Sequence, residues 1–284
     1  MTVVRDGHAR LPAPWTDDAE AAGLCHVLGQ GREVSATMAS DLIVGVDIGG
    51  TGIKAAPVDI TTGELATERI RIPTPSPATP QAVADAVDGV LSKIDVPGPV
   101  GLAVPAVVRG GIVETASHID PAWIGVDAVN FFSRVTGWPV AVMNDADAAG
   151  VAEVRFGAGQ GQAGIIAVIT LGTGIGSALF VDRTLVPNSE LGHLPLHHGK
   201  AEDWAAESVR QRDRVSWEKY APRLQAFLEL VQRVLWPQLF IIGGGISNVA
   251  HEFLPLIELR TPIVPAHLRN HSGIIGAAMF APAE

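Results

Sequence analysis

The chain has 284 residues, 47% of them hydrophobic, enough to bury one large core or two moderate ones. A formal net charge of −10 argues against nucleic acid or an anionic membrane as main partner, and a polyanionic substrate would need a local basic patch set against that field. The single cysteine, Cys25, excludes an internal disulfide and a Cys-rich zinc site and fits a reducing, cytoplasmic setting. Residues 1–40 are polar, carry Pro12 and Pro14 and show no sustained period. They predict a poorly ordered extension without a signal peptide, with Met38 as an alternative start, and too short for a helix-turn-helix domain. From Asp41 the alternation of Leu42, Val44, Val46 and Ile48 predicts a strand. "IKAAPVDI" predicts a second strand and "TTGE" the next hairpin turn. Val83, Ala86, Val87, Val90, Leu91 and Ile94 fall at helical spacing, with Thr79 as cap and Pro80 at the first position. "VGLAVPAVV" reads as a buried strand, "DAVNFFSRVTG" as a helix ending at Gly137, "PVAVMND" as a strand and "ADAAGVAEVRFG" as a helix of small residues.

The second half restarts with "IIAVITLGTGIGSALFV", Ile165 to Val181. It is shorter than the ~20 residues of a membrane span and broken by central glycines, so it predicts strand–turn–strand. "DRTLVPNSELGH" reads mostly as loop, followed by helices over 201–213 and 217–235, a strand "LFIIGGG" and a closing helix "SGIIGAAMF". The division expected is one α/β domain over 41–140 and a second over 141–272, with 273–284 packing back on the first.

"GTGI" occurs twice, at Gly50–Ile53 and Gly172–Ile175. Each copy follows an apolar strand, precedes a small-residue strand and has an aspartate, Asp59 or Asp182, opening the next turn, which points to two related halves. Such turns can present backbone N–H groups to an anion; glycine permits positive φ and leaves no Cβ in the way. Thr51 and Thr173 add hydroxyls and Lys54 a charge. The alternative is a pair of ordinary tight hairpins. No P-loop pattern occurs, and neither turn has the G-x-G-x-x-G order of a dinucleotide fingerprint. In "MNDADAAG", Asn144 and Asp145 stand where a strand meets a helix. Asp145 could take a hydroxyl proton and Asn144 bond a neighbouring hydroxyl; on the plain structural reading, Asp145 or Asp147 only caps the helix. Glu190 and His193 of "PNSELGHL", with Glu202 beyond, could bind several hydroxyls of one sugar. A zinc site from His193, His197 and His198 is the weaker reading. "IIGGGIS", with Gly243, Gly244 and Gly245, allows close approach of a nucleobase or phosphate chain, or forms only a tight turn.

Together "VDIGGTGIKAA", "NDADAAG", "LGTGIGSALF", "PNSELGHL", "IIGGGIS" and "SGIIGAAM" resemble the ROK-type sugar kinases of the actin/hexokinase-like superfamily. The spelling is similar to their actinobacterial polyphosphate glucokinase branch, over about residues 42–281. The resemblance implies an α/β fold of two actin-like (ribonuclease H-like) domains around a central cleft. It implies Asp145 as general base for the glucose 6-hydroxyl, with Asn144, Glu190, His193 and Glu202 on the sugar. Asp47, Gly49, Gly50, Thr51, Gly52 and Lys54 would form one phosphate loop and Gly172, Thr173 and Gly174 the other, with Gly243 to Gly245 beside the donor. It further implies Mg²⁺ with the donor phosphates, polyphosphate or ATP as donor, a cytoplasmic homodimer, and neither nucleic acid nor membrane as partner. The family's cysteine-rich zinc loop is replaced by "LPLHHGKAEDWAA", so no structural zinc is expected. His118 stands where an asparagine is usual, and no cation follows the glycine triplet; Arg210, Arg212 and Arg214 are the substitute considered, against a solvated helix face. The expected activity is polyphosphate-dependent phosphorylation of glucose, ATP being a second donor. The alternatives are an ATP-dependent glucose or mannose kinase, a non-catalytic sugar sensor, and a polyphosphate- or nucleotide-binding protein without transfer.

Overall fold

The computed structural model describes residues 42–282; the extension expected over 1–40, with Cys25 and Met38, lies outside the described residues. The first half opens with a hairpin of β1 (Leu42–Ile48) and β2 (Ile53–Asp59). Both β3 (Glu64–Leu65) and β4 (Ile70–Ile72) pair antiparallel with β2. α1 (Pro80–Leu91) begins as its sequence predicts, with the Thr79 side chain accepting from Ala82 N and Pro80 at the first position. It stops short of Ile94. β5 (Val100–Val104) ends before Pro105, which cannot donate to a ladder, so the expected long strand is cut. The residues beyond form a small hairpin of β6 (Val108–Arg109) and β7 (Ile112–Val113). α2 (Ala128–Thr136) ends at Gly137, whose φ of 72° is the left-handed cap that glycine favours. β8 (Val140–Asn144) runs straight into α3 (Asp145–Phe156).

In the second half β9 (Ile165–Leu171) and β10 (Ile175–Val181) form the predicted strand–turn–strand. β11 (Thr184–Val186) is a short edge strand inside the stretch read as loop. A small hairpin of β12 (Pro195–Leu196) and β13 (Gly199–Lys200) precedes α4 (Glu202–Ala205). The helix expected over 201–213 breaks at Ala206, whose backbone is extended at ψ 153°, and resumes as α5 (Glu207–Arg212). α6 (Trp217–Leu235), β14 (Leu239–Gly243), α7 (Ala250–Phe253), β15 (Ile263–Pro265) and α8 (Ser272–Met279) complete the chain.

The two main sheets share one plan, with orders β3-β2-β1-β5-β8 and β11-β10-β9-β14-β15. In each, the hairpin is antiparallel and the last two strands join its first strand in parallel. The repeated tetrapeptide therefore marks equivalent turns of two equivalent sheets, and the duplication extends to the whole sheet. α1 and α2 pack on one face of the first sheet, with Val44, Val46 and Ile48 beneath them. α4 to α7 pack on one face of the second. α3 and α8 pack together against the remaining faces. Glycine sets how close they come: a Cβ at Gly45 would meet the backbone oxygen of Ile274, one at Gly101 that of Ala277, and one at Gly276 that of Ala148. No helix among the described residues is long and apolar enough to cross a membrane.

Candidate active site

The first strand of each sheet delivers its glycine–threonine turn to one cavity of about 350 Å³, and β8 ends on the same cavity with Asn144 and Asp145. The turns face one another: a Cβ at Gly50 would stand 4.0 Å from Thr173 Oγ1. Each turn is closed by its own backbone, with Gly49 N donating to Gly52 O at 3.1 Å and Gly172 N to Gly174 O at 3.0 Å. The N–H groups of Gly50, Thr51 and Thr173 meet no protein acceptor, so they remain for an anion. Of the two reasons for glycine here, a left-handed backbone and room, only room holds. None of these turn glycines has positive φ. A Cβ at Gly52 would lie 2.9 Å from Arg71 Nε, and one at Gly174 would collide with Glu202 and His118.

Asp47 and Lys54 both line the cavity, yet Lys54 Nζ sits 2.7 Å from Asp47 Oδ2, so the lysine's charge is balanced inside the site. Gly244 and Gly245 reach the cavity wall; Gly52 and Gly243 do not line it. At Gly244 the φ of 82° does require glycine, and the backbone of Leu171 occupies the place of a side chain.

At the other end, the helix cap is Asn144 rather than either aspartate. Its Oδ1 accepts from Asp147 N at 3.0 Å while Nδ2 donates to Ala106 O at 3.1 Å. Asp145 Oδ1 accepts from Ala146 N at 2.8 Å, which leaves Oδ2 without a protein partner. Burial, with repulsion from Asp47 and then Glu190, pushes Asp145 up to about 7, against the Ala146 amide and His118. Asp147 is buried, and its Oδ2 accepts from Asn188 N at 2.7 Å. Asn188 in turn bonds both backbone groups of Val108, at 3.0 and 2.9 Å. These bonds fix the segment carrying Glu190 between α3 and β6. Asp147 Oδ1 has no partner, and burial pushes this carboxyl also up to about 7.

Glu190, His193 and Glu202 converge as their sequence spacing allows. Ser177 Oγ holds the segment, donating to Ser189 O at 2.6 Å and accepting from Leu191 N at 2.9 Å. Glu202 lies between two imidazoles, with Oε2 at 3.2 Å from His118 Nε2 and Oε1 at 3.2 Å from His193 Nε2. Burial alone would raise Glu202, but the His118 hydrogen bond and charge, the Ile175 amide and His193 hold it down at about 2. The same Glu202 hydrogen bond raises His118 against its own burial. Burial also raises Glu190, with His193 opposing it. His193 stands 3.7 Å from Glu190.

His118, the departure noted above, is thus the partner of Glu202 at the cavity wall. Arg269, Asn270, Ser272 and Gly273 also line it, and residue type alone does not single them out. The basic cluster of α5 faces a different fate. Arg210 is bound bidentately to Glu207 and lies 3.8 Å over the Trp217 ring, and Arg212 pairs with Asp213 at 2.9 Å.

Twin sheets of this order, with the site where their turns meet, define the actin-like α/β class. The chain belongs to the ROK family, whose pattern matches residues 43–203. It is 45% identical over 241 residues to a polyphosphate glucokinase of Mycobacterium tuberculosis, covering 84% of this chain and 91% of that protein. Among solved structures it resembles an inorganic polyphosphate/ATP-glucomannokinase from Arthrobacter sp. strain KM, at 48% identity and TM-score 0.82, over 84% of this chain and 97% of that one. A ROK family glucokinase from Streptomyces griseus, solved with glucose and AMPPNP, matches at 25% identity and TM-score 0.73, over 84% of this chain and 99% of that one.

Proposed function

We propose that the protein transfers a phosphoryl group from inorganic polyphosphate, and also from ATP, to the 6-hydroxyl of glucose, giving glucose 6-phosphate. The observation that carries this is the meeting of two glycine–threonine turns across one cavity that also holds Asp145. The relatives named polyphosphate glucokinase and polyphosphate/ATP-glucomannokinase support it. In this reading Glu190 and Glu202 accept from sugar hydroxyls, while His193 and the second Nδ2 hydrogen of Asn144 donate to them. Asp145 Oδ2 takes the proton as the 6-oxygen attacks the terminal phosphorus and the bond to the rest of the donor breaks. A carboxylate near 7 is matched to that task at neutral pH. The free N–H groups of the two turns sit against the equatorial oxygens, where phosphoryl transfer concentrates charge. Closure of the two halves over the sugar excludes water, which would otherwise compete as acceptor.

Among the described residues no group of three or more His, Cys, Asp or Glu could hold a metal ion. A magnesium ion would therefore be held chiefly by donor phosphates, with Asp47 the carboxylate at that end, and would neutralise charge there. A second hollow of about 410 Å³, lined by Thr173, Ser208, Gln211, Gly245 and Ile246, adjoins the second turn. It would seat the nucleoside of ATP, which polyphosphate lacks. The glucomannokinase relative makes mannose the second sugar to try.

The test is glucose 6-phosphate formation by the purified chain with glucose, Mg²⁺ and either donor. Turnover with polyphosphate is the expected result. Turnover with ATP alone would make it an ATP-dependent hexose kinase. No transfer from either donor to glucose or mannose would overturn the reading in favour of a sugar-binding protein.

A further inference from the structure

A chain of net charge −10 repels a long polyanion unless cations gather where that polyanion lies. Three cations are already engaged: Lys54, which lines the main cavity, by Asp47, and Arg210 and Arg212 of α5 by Glu207 and Asp213. Beside Lys54 the situation differs. Arg71, paired with Lys54 across β4 and β2, points its guanidinium over the first turn, with Nη2 3.4 Å from Thr51 O. Arg69, immediately before the same edge strand, donates from Nη1 to Asn270 O at 3.0 Å. Asn270 and its neighbour Arg269 line the main cavity. Arg69, Arg71 and Arg269 have no carboxylate partner among the described residues, and Arg71 and Arg269 are exposed. These positions place three guanidinium groups in one arc, from the first turn to the segment that leads into α8.

We infer that this arc of Arg69, Arg71 and Arg269 is the subsite for the phosphates of a polyphosphate chain beyond the group being transferred. The inference rests on the polyphosphate reading above. Guanidinium forks match phosphate oxygens in geometry and charge, and unpaired ones displace the counterions condensed on a polyanion. The first turn would hold the reacting end, and the chain would leave along β4. A nucleoside triphosphate is too short to follow it, so the subsite separates long donors from ATP.

The test uses the full chain and the double variant R69Q/R71Q, with R212Q as control because Arg212 is exposed and paired to Asp213. Two measurements are made on each: binding of long-chain polyphosphate by calorimetry, and the KM values for long-chain polyphosphate, tripolyphosphate, ATP and glucose. In the double variant, long-chain Kd and KM should both rise by roughly tenfold. The slope of log Kd against log salt should fall by somewhat less than one per arginine removed. KM for ATP, tripolyphosphate and glucose should stay within about twofold, and R212Q should behave as wild type. Long-chain binding unchanged in R69Q/R71Q overturns the subsite even if wild type transfers phosphate from polyphosphate. An equal rise for ATP and tripolyphosphate also overturns it, because the arginines would then serve the reacting end alone. Wild-type binding of long chains that weakens in the variant, without transfer from them, upholds the subsite and overturns the donor reading instead.

Discussion

Asp145 is held where one burial has two opposite consequences. Its carboxyl, raised to about 7 by burial and by Asp47, can take a proton at neutral pH, but its charge is unwelcome in the fold. Asp145→Asn keeps the acceptor that Ala146 N needs and removes that charge. Turnover should drop by about 10²- to 10⁴-fold with KM for glucose changed only a few-fold. Above pH ~8, where the wild-type charge is almost fully developed, the variant's melting temperature should exceed wild type. Wild-type turnover in this variant would remove Asp145 from the base position. At this scale the sequence is readable where chemistry and position coincide. Asp145 at a strand end, and Glu190 with His193 on one turn, stand out from their neighbours. Asp147 and Arg269 do not, because their places follow from contacts with Asn188 and with the segment before α8, far away in the chain. His118 is visible only as an unusual residue; that it braces Glu202 depends on two loops meeting.

The elements divide along the same line. The glycine-bearing hairpins, α2 and the strand–turn–strand of the second half follow from local pattern. β11 escapes such a reading because its pairing partner decides it, and the break at Ala206 because nothing in "AEDWAAESVR" marks it. Glycines look alike in sequence and differ entirely in the fold. Gly276 on α8 faces the backbone oxygen of Ala148, so Gly276→Ala forces α8 away from α3. Overpacking of this kind costs about 1–3 kcal/mol, read by denaturant unfolding. Activity should fall further than stability, since α3 begins with Asp145 and α8 begins at the cavity wall with Ser272 and Gly273. Gly89 is the counterpart: it lies in the exposed part of α1, with nothing within 4 Å of a built Cβ. Gly89→Ala should stabilise by roughly 0.5–1 kcal/mol through helix propensity and leave turnover alone. Equal effects from both substitutions would disprove the packing account of α3 and α8.

Across the whole molecule, titrating groups at the cleft should shape a pH profile in which stability and activity diverge. Asp145 and Asp147 both stand at about 7 when folded, against ~3.9 in an unfolded chain. Between those values the folded state binds more protons, so stability falls as pH rises. Glu190, raised by burial, acts in the same sense. His118 is raised by Glu202; its contribution is full below ~6.5 and is lost as pH climbs through its folded value, again in the same direction. Glu202 opposes them. Held at about 2, it contributes fully above ~4.3, and that stability is lost as pH falls toward 2. The melting temperature should therefore peak at pH ~4, where Glu202 is ionised while Asp145 and Asp147 keep their protons in the folded state, and decline by several °C toward pH 8. Meanwhile kcat/KM should climb through an apparent pKa of about 7 as Asp145 ionises. Asp145→Asn should flatten part of that decline. Calorimetry across pH on both forms decides the matter: a melting temperature that rises from pH ~5.5 to ~8 would mean that the cleft carboxylates are not held in a charge-averse setting.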